Sequence, residues 1–454
     1  MFERRPQIVG YLLPFVVAIF VVKIGFGLWS SSLLTDGHQA APGPAASLDR
    51  SVSPVARSAP TDFDPVTPDQ IGTSFPNNAP GPGPAKWNPT VEALRQKLEK
   101  PDVVPGEALL SFRSAEAMNR FIQLAAPQGL AVLGTIPQLN SLRVRYGTLE
   151  QLGSILASAG VDPASVEGNP WLAIPSQPPP QPEANNQYGT APFGANTMGA
   201  IGAGGDRTDW GDHVTVAVLD TGVLDHPTFG QGQVTHLDLV NDGQPFDSHG
   251  TSVASLVGGR NPQAPGVAPA AQILDVRVAN SDGMTVGSVL AEGIVEATDR
   301  GAQVINMSLG GYGDSPVLAQ SIAYALQHGV VVVAAAGNDA ADELAFPAAY
   351  QGVLSVAAVD ANDKQAFFSN SGQGLDLAAP GVGVTTAWST NQLASVSGTS
   401  QAAALTSGAV AAYLAWGVAP NAIIGRLQTD ALPTGASAVQ VGAGVLMIRP
   451  PATR

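Results

Sequence analysis

The chain has 454 residues, 44% of them hydrophobic, with no cysteine and a formal net charge of −15. The absence of cysteine excludes disulfides, thiolate metal sites and a cysteine nucleophile, and the length allows two or three domains with a sizeable core. From residue 205 onward there are eight Lys and Arg against 21 Asp and Glu, a surface that repels phosphate backbones and excludes nucleic acid as a partner.

The N-terminus reads MFERRPQIVGYLLPFVVAIFVVKIGFGLW. Two arginines precede an apolar run from Ile8 to Val22 that resumes after Lys23 and reaches Trp29. The stretch meets the roughly 20 residues a bilayer demands, provided Lys23 snorkels outward and Trp29 anchors at the interface. Residues 1–35 therefore read as a membrane anchor or, with Ser30 to Ser32 as a cleavage point, as a signal segment. Either way the bulk of the chain is exported, tethered outside the membrane or released. Residues 36–90 are rich in Pro, Ala, Gly and Ser without periodicity and read as a linker.

Residues 91–175 form a compact unit in this reading. Val103 to Phe112 reads as a strand, and Ser114 caps a helix with Met118, Phe121, Ile122 and Ala125 on one face. Leu130 to Ile136 and Leu142 to Tyr146 are strand-like, and Thr148 with Gln151 has capping-box spacing ahead of Leu152, Ile155 and Leu156. A last extended piece, Val166 to Ile174, closes a β-α-β-β-α-β order, the α+β ferredoxin-like arrangement. The run SQPPPQPEANNQYG opens a second linker and N-terminal segment over residues 176–204.

Over residues 205–454 the pattern changes. VTVAVL, ILDVRV, VINM, VVVVAAA and VLSVAAV are too uniformly apolar to have a wet face and fit buried parallel strands. Helical segments at Val286 to Arg300 and Ser315 to His328 alternate with them, each followed by glycine. The expectation is an α/β domain, a mostly parallel doubly wound sheet covered on both sides.

Three polar residues fall where such a sheet collects its chemistry, at strand ends and helix starts. Asp220 ends VTVAVLD, His249 opens a small-residue helix in DSHGTSVASLV, and Ser400 opens another in SGTSQAAA. Singly each has a plain role, as turn, structural histidine or helix cap. Together they are what a nucleophilic serine needs: an imidazole to accept its proton and a carboxylate to hold that imidazole. Asn338, after VVVVAAAG, is placed to donate with the Ser400 backbone N–H to an oxyanion.

LDTGV, SHGTSVAS, NMSLGG, AAAGN and SGTSQAAA, in this order, resemble the signature blocks of the subtilisin-like (subtilase) serine peptidases, over roughly Trp210 to Ile448. The resemblance implies a serine endopeptidase hydrolysing peptide bonds in polypeptide substrates through an acyl-enzyme. Asp220 would orient, His249 act as general base and acid, Ser400 attack and Asn338 stabilise the oxyanion. It further implies that Ser308, Leu309, Gly310 and Gly311 form an edge for the substrate backbone. Ala335, Ala336 and Gly337 would wall the pocket before the scissile bond, with Ala345 at its base and Asp339 at its rim. Small walls favour apolar side chains there. Phe346-Pro347 resembles the family's cis-proline turn.

Residues 91–175 resemble the inhibitory propeptide many members carry, a partner in cis whose tail enters the cleft and is cut between Ile174 and Ala195. Two departures stand out: Gln401 replaces the usual methionine after the nucleophile, where it offers a hydrogen bond near the leaving group, and Ala404 replaces a proline. No cofactor or catalytic metal is implied. Structural calcium is usual in the family but is not placed here, since Asp238, Asp242 and Asp247 read as loop acids. The alternatives are a catalytically silent or a transamidating relative on the same fold. Fluorophosphonate labelling separates the first, and product masses the second.

Overall fold

The computed structural model describes residues 88–176 and 190–451, so the N-terminal apolar run, most of the first linker and residues 177–189 lie outside the described residues. Among the described residues no helix is long and apolar enough to cross a membrane.

Residues 88–176 fold as β1 (Glu107–Ser111), β2 (Ala131–Ile136), β3 (Ser141–Arg145) and β4 (Val166–Glu167), an antiparallel sheet in the order β2-β3-β1-β4. Three helices cover one face: α1 (Pro89–Leu98), α2 (Ala115–Ala125) and α3 (Leu149–Ala159). The caps are those the sequence offers, Ser114 Oγ accepting from Ala117 N and Thr148 Oγ1 from Gln151 N. This is the expected ferredoxin-like order with one addition, α1, capped by Asn88. The first strand is shorter than expected because Pro105 and Gly106 (φ +76°) turn the chain just before it.

The expected final strand, Val166 to Ile174, is a correction. The extended chain breaks at Gly168 to Pro170. Only β4 stays in the small sheet, and β5 (Trp171–Ala173) leaves it to pair antiparallel with β9 (Met284–Val286) of the larger body.

In the larger body a short α4 (Thr197–Ala200) precedes a wholly parallel seven-stranded sheet. Its strands are β6 (Thr215–Asp220), β7 (Val234–Asp238), β8 (Gln272–Arg277), β10 (Val304–Met307), β11 (Val331–Ala335), β12 (Leu354–Val359) and β13 (Leu377–Pro380). They run in the order β13-β12-β11-β10-β6-β8-β7. The uniformly apolar strands are buried on both faces, as foreseen. Val216, Val218, Val304, Val333 and Val356 meet α5 (Ser248–Gly258) and α8 (Thr399–Ala415). Their neighbours Ala217, Leu219, Ile305, Val332 and Ala334 meet α6 (Gly287–Asp299) and α7 (Pro316–Gln327). Strand order reverses between β6 and β10, which opens a crevice at their carboxyl ends. A hairpin, β14 (Val384–Trp388) and β15 (Gln392–Val396), leads into α8.

Candidate active site

Asp220 is the last residue of β6 and has no exposed surface. Its Oδ1 accepts from Thr221 N (2.8 Å), and its two oxygens lie 2.8 and 3.0 Å from His249 Nδ1. His249 stands in the first turn of α5, whose N-cap Asp247 accepts from His249 N at 2.8 Å. The helix sits this close to the β6 turn only because residue 250 is glycine: a Cβ there would clash with the Gly222 carbonyl. Asp275, a buried neighbour on β8, holds the same turn by accepting from Val223 N, and its carboxylate also meets His236 Nδ1.

Burial opposes a charged imidazole at His249. The adjacent Asp220 charge and hydrogen bond, with Asp247 adding, outweigh it and raise the His249 pKa above its ordinary value.

Ser400 lies in the first turn of α8, fully buried. Its Oγ donates to the Ser308 carbonyl (3.3 Å), and Ser308 Oγ donates back to the Ser400 carbonyl (3.3 Å). Asn306, on β10, ties this junction further through Ser308 Oγ and Ser407 Oγ. His249 Nε2 is buried without a hydrogen-bond partner. The structure thus joins Asp220 to His249, and seats the Ser400 hydroxyl on Ser308 rather than on the imidazole.

Asn338 follows β11 after Gly337, where φ is +115° and a Cβ would clash with Asn370 Nδ2. Asn338 Oδ1 accepts from Thr399 N (2.9 Å) and Thr399 Oγ1 (2.8 Å). A backbone N–H can only donate, so these bonds fix which end of the amide is oxygen. Nδ2 therefore faces the cleft, where it donates to the Ser176 carbonyl at 3.4 Å.

That carbonyl belongs to the tail of the small domain. Ala173 exchanges two hydrogen bonds with Gly310 (2.9 and 2.8 Å), and Ile174 N donates to Gly283 O (2.8 Å). The tail is thus a middle strand between the Gly310 edge and β9, ending at Asn338. A cavity of about 170 Å³ beside it is lined by Pro175, Ser176, Gly310, Ala335, Gly337 and Ala345.

Of the four expected edge residues, Gly310 makes the strand pairing and Ser308 holds the nucleophile's neighbourhood. Leu309 buries its side chain in the α6/α7 core, and Gly311 pairs with Phe346 on its other side. Gly311 also sits against the tail, where a Cβ would stand 2.8 Å from the Trp171 carbonyl. Ala335, Gly337 and Ala345 line the cavity; the side chain of Ala336 does not, packing instead with Phe193 and Leu344 because neighbours along an extended chain face opposite ways. Asp339 reaches the rim but is engaged, its carboxylate accepting from Tyr312 Oη (2.7 Å) while Asn370 Nδ2 donates to Tyr312 (2.9 Å). The Phe346-Pro347 bond is cis.

The second edge, Gly283 to Val286, was not foreseen. An inserted strand has two sides, and a Gly-led extended piece before a helix is the signal that points to it. The loop acids carry fixed duties: Asp238 and Asp242 pair with the buried Arg277, and Asp247 caps α5. Among the described residues no group of three or more His or acidic side chains is arranged to hold a metal ion.

Residues 211–438 match the sequence profile of the Subtilase family (Peptidase_S8). An alkaline protease of Shouchella clausii is 33% identical over 308 residues, covering 67% of this chain and 80% of that protein. Thermitase of Thermoactinomyces vulgaris is 40% identical over 199 residues, or 42% of this chain and 71% of its own. In fold the chain is similar to fervidolysin from Fervidobacterium pennivorans, a keratinolytic enzyme related to subtilisin, with a TM-score of 0.66 at 24% identity over 78% of this chain and 61% of that one. With half of its length inside the family profile and relatives matched over most of theirs, the chain belongs to the subtilase family and is a serine endopeptidase.

Proposed function

We propose that Asp220, His249, Ser400 and Asn338 carry out peptide-bond hydrolysis through an acyl-enzyme, and that residues 88–176 are an inhibitor in cis which the same site removes. The observation that carries this reading is the tail. It lies as a substrate strand would, between the Gly310 and Gly283 edges, and delivers the Ser176 carbonyl to Asn338 Nδ2.

In the reaction Ser400 Oγ turns from Ser308 O to the unpartnered Nε2 of His249, gives up its proton and attacks the carbonyl carbon. Asn338 Nδ2 and the Ser400 N–H, at the positive end of α8, hold the oxyanion. The imidazolium, held by Asp220 at Nδ1, returns its proton to the leaving nitrogen as the C–N bond breaks. Water then repeats the sequence on the ester, releasing the acid and restoring Ser400. The raised His249 pKa supports the imidazolium in the transition state.

The substrates are polypeptides held by their backbones, with an apolar or small side chain in the cavity walled by Ala335 and Ala345. The hydrogen bond from Tyr312 to Asp339 weakens the case for a basic one. Export, by anchor or by cleaved signal, completes the reading.

The test is the mass and N-terminal sequence of the purified full chain. Wild type yields a body beginning at Gln177, and Ser400→Ala stays uncut and takes no fluorophosphonate. A wild-type chain that is neither cut nor labelled ends the reading.

A further inference from the structure

Gln401 follows Ser400 in α8 and has no exposed surface, yet neither atom of its amide, Oε1 or Nε2, has a hydrogen-bond partner. Burying an amide with both ends unpaired is costly. Its neighbours Thr399, Ser400 and Asn338 are all paired. The amide also has a direction. A methyl group placed on Gly398 would stand 2.8 Å from Gln401 Oε1 and 3.1 Å from Asn338 Nδ2, so the two amides flank one small space in front of the Gly398 backbone.

The acyl side of the cleft is fully provided for. Ala173 pairs with Gly310, Ile174 bonds Gly283, and the Ser176 carbonyl meets Asn338. The space beside Gln401 adjoins Asn338 Nδ2, and so lies next to the carbonyl that Asn338 holds. The first peptide group there brings one donor and one acceptor, and a glutamine amide offers the complement of both.

We propose that Gln401 binds the peptide group of the first residue on the leaving side of the scissile bond, making the enzyme selective for peptide over non-peptide leaving groups. The proposal rests on the assignment of Ser400 as nucleophile. The same contact acts in reverse. An amino acid amide that uses it is held to attack the acyl-enzyme: its amine gives a proton to His249 as the new C–N bond forms, and Ser400 Oγ leaves and takes that proton from His249. Gln401 therefore also raises the share of acyl-enzyme that goes to aminolysis.

The test uses the full chain, allowed to mature, as wild type, Gln401→Leu and Gln401→Met. Two substrates share one acyl peptide. One ends in p-nitroaniline, and the other continues through two further residues. The ratio of kcat/KM for the extended peptide to that for the anilide falls about tenfold in both variants, the scale of one neutral hydrogen bond left unmade. Aminolysis of the acyl-enzyme by glycinamide falls alongside it. An unchanged ratio with unchanged aminolysis overturns the proposal, as does a loss shared equally by the two substrates. Anilide turnover reports folding of each variant. A wild type that cleaves neither substrate and takes no fluorophosphonate overturns the Ser400 assignment and this proposal with it.

Discussion

In the larger body each face of the parallel sheet is closed by helices of the same body, α5 and α8 on one side and α6 and α7 on the other. The small domain closes only one face of its sheet this way. Leu110, Ala108 and Val144 pack under its own helices, while Leu109 and Ile136, pointing the opposite way, are buried against α6 and α7. It even completes those helices: Asn169 Oδ1 accepts from Ser288 N (3.0 Å) in α6, and Glu167 Oε1 accepts from Val317 N (2.9 Å) in α7. The seam is loose, with a cavity of about 100 Å³ lined by Leu109, Ile136, Arg143, Val289, Glu292 and Val317. A self-sufficient core beside a borrowed one suits a pair meant to separate. The body loses only a cover, whereas the small domain exposes the face of its sheet that carries Leu109 and Ile136.

The sharpest way to test the division is to disarm the body while sparing all of the contact between the two parts except the long Asn338–Ser176 hydrogen bond. Asn338→Asp keeps an acceptor for Thr399 N and Oγ1 but removes the Nδ2 donor, and Asn338→Leu removes both. Both lower kcat by about 10²–10³-fold with little change in KM, in steady-state assays of matured enzyme, and the aspartate variant falls further because its charge opposes the oxyanion. Self-cutting slows in step while docking of the small domain persists. A change confined to KM would take Asn338 out of the transition state.

Adjacent leucines test the two faces of β1. Leu110→Ala empties the small domain's own core and costs it about 2–5 kcal/mol. Leu109→Ala, on the looser seam, costs about 1–3 kcal/mol, felt as undocking rather than unfolding. Hydrogen exchange on the full-length Ser400→Ala chain separates them. Leu110→Ala speeds exchange in β1 and β3, whereas Leu109→Ala speeds it at Ala173 and Ile174. Identical patterns would mean the seam and the core are one unit.

The same contrast explains what could be read from the string of residues. β6, β8, β10, β11 and β12 declare themselves because strands buried on both faces are apolar throughout. The positions of Asp220, His249, Asn338 and Ser400 follow from strand ends and helix starts. β7 (VTHLD) escapes notice because it is a half-exposed edge, and the β14–β15 hairpin because its turn lacks a Gly signal. α1 is hidden behind the Pro-rich stretch that its own Pro89 extends in the sequence, although Pro in the first turn is where a helix accepts it. The fate of Trp171 to Ser176 is the deepest loss. Its extended character is visible, but which edge it joins depends on Gly283 and Gly310, more than a hundred residues away. The resting hydrogen bond of Ser400 is likewise a matter of rotamer, which spacing does not encode.

The smallest expected effect lies at Glu167, where the seam meets pH. Its Oε1 accepts from Val317 N and Ser315 Oγ, but its Oε2 is buried without a partner, and burial raises its pKa to about 7. Undocked, the carboxyl returns to its ordinary 4.5. A pKa raised in the docked state means that the protonated form docks better. Docking is at full strength below pH 4.5, weakens as pH climbs toward 7, and levels off above it. The side chain as a whole is only partly buried, so solvent screens much of the shift and the expected change is about tenfold in the opening equilibrium. It is read as exchange at Ala173 and Ile174 in the Ser400→Ala chain between pH 4.5 and 8, corrected for the intrinsic pH dependence of exchange. Glu167→Gln, which keeps an acceptor for Val317 and cannot ionise, flattens the profile at its low-pH level. A profile equally steep in Glu167→Gln would move the pH response to other groups and leave Glu167 as a helix cap alone.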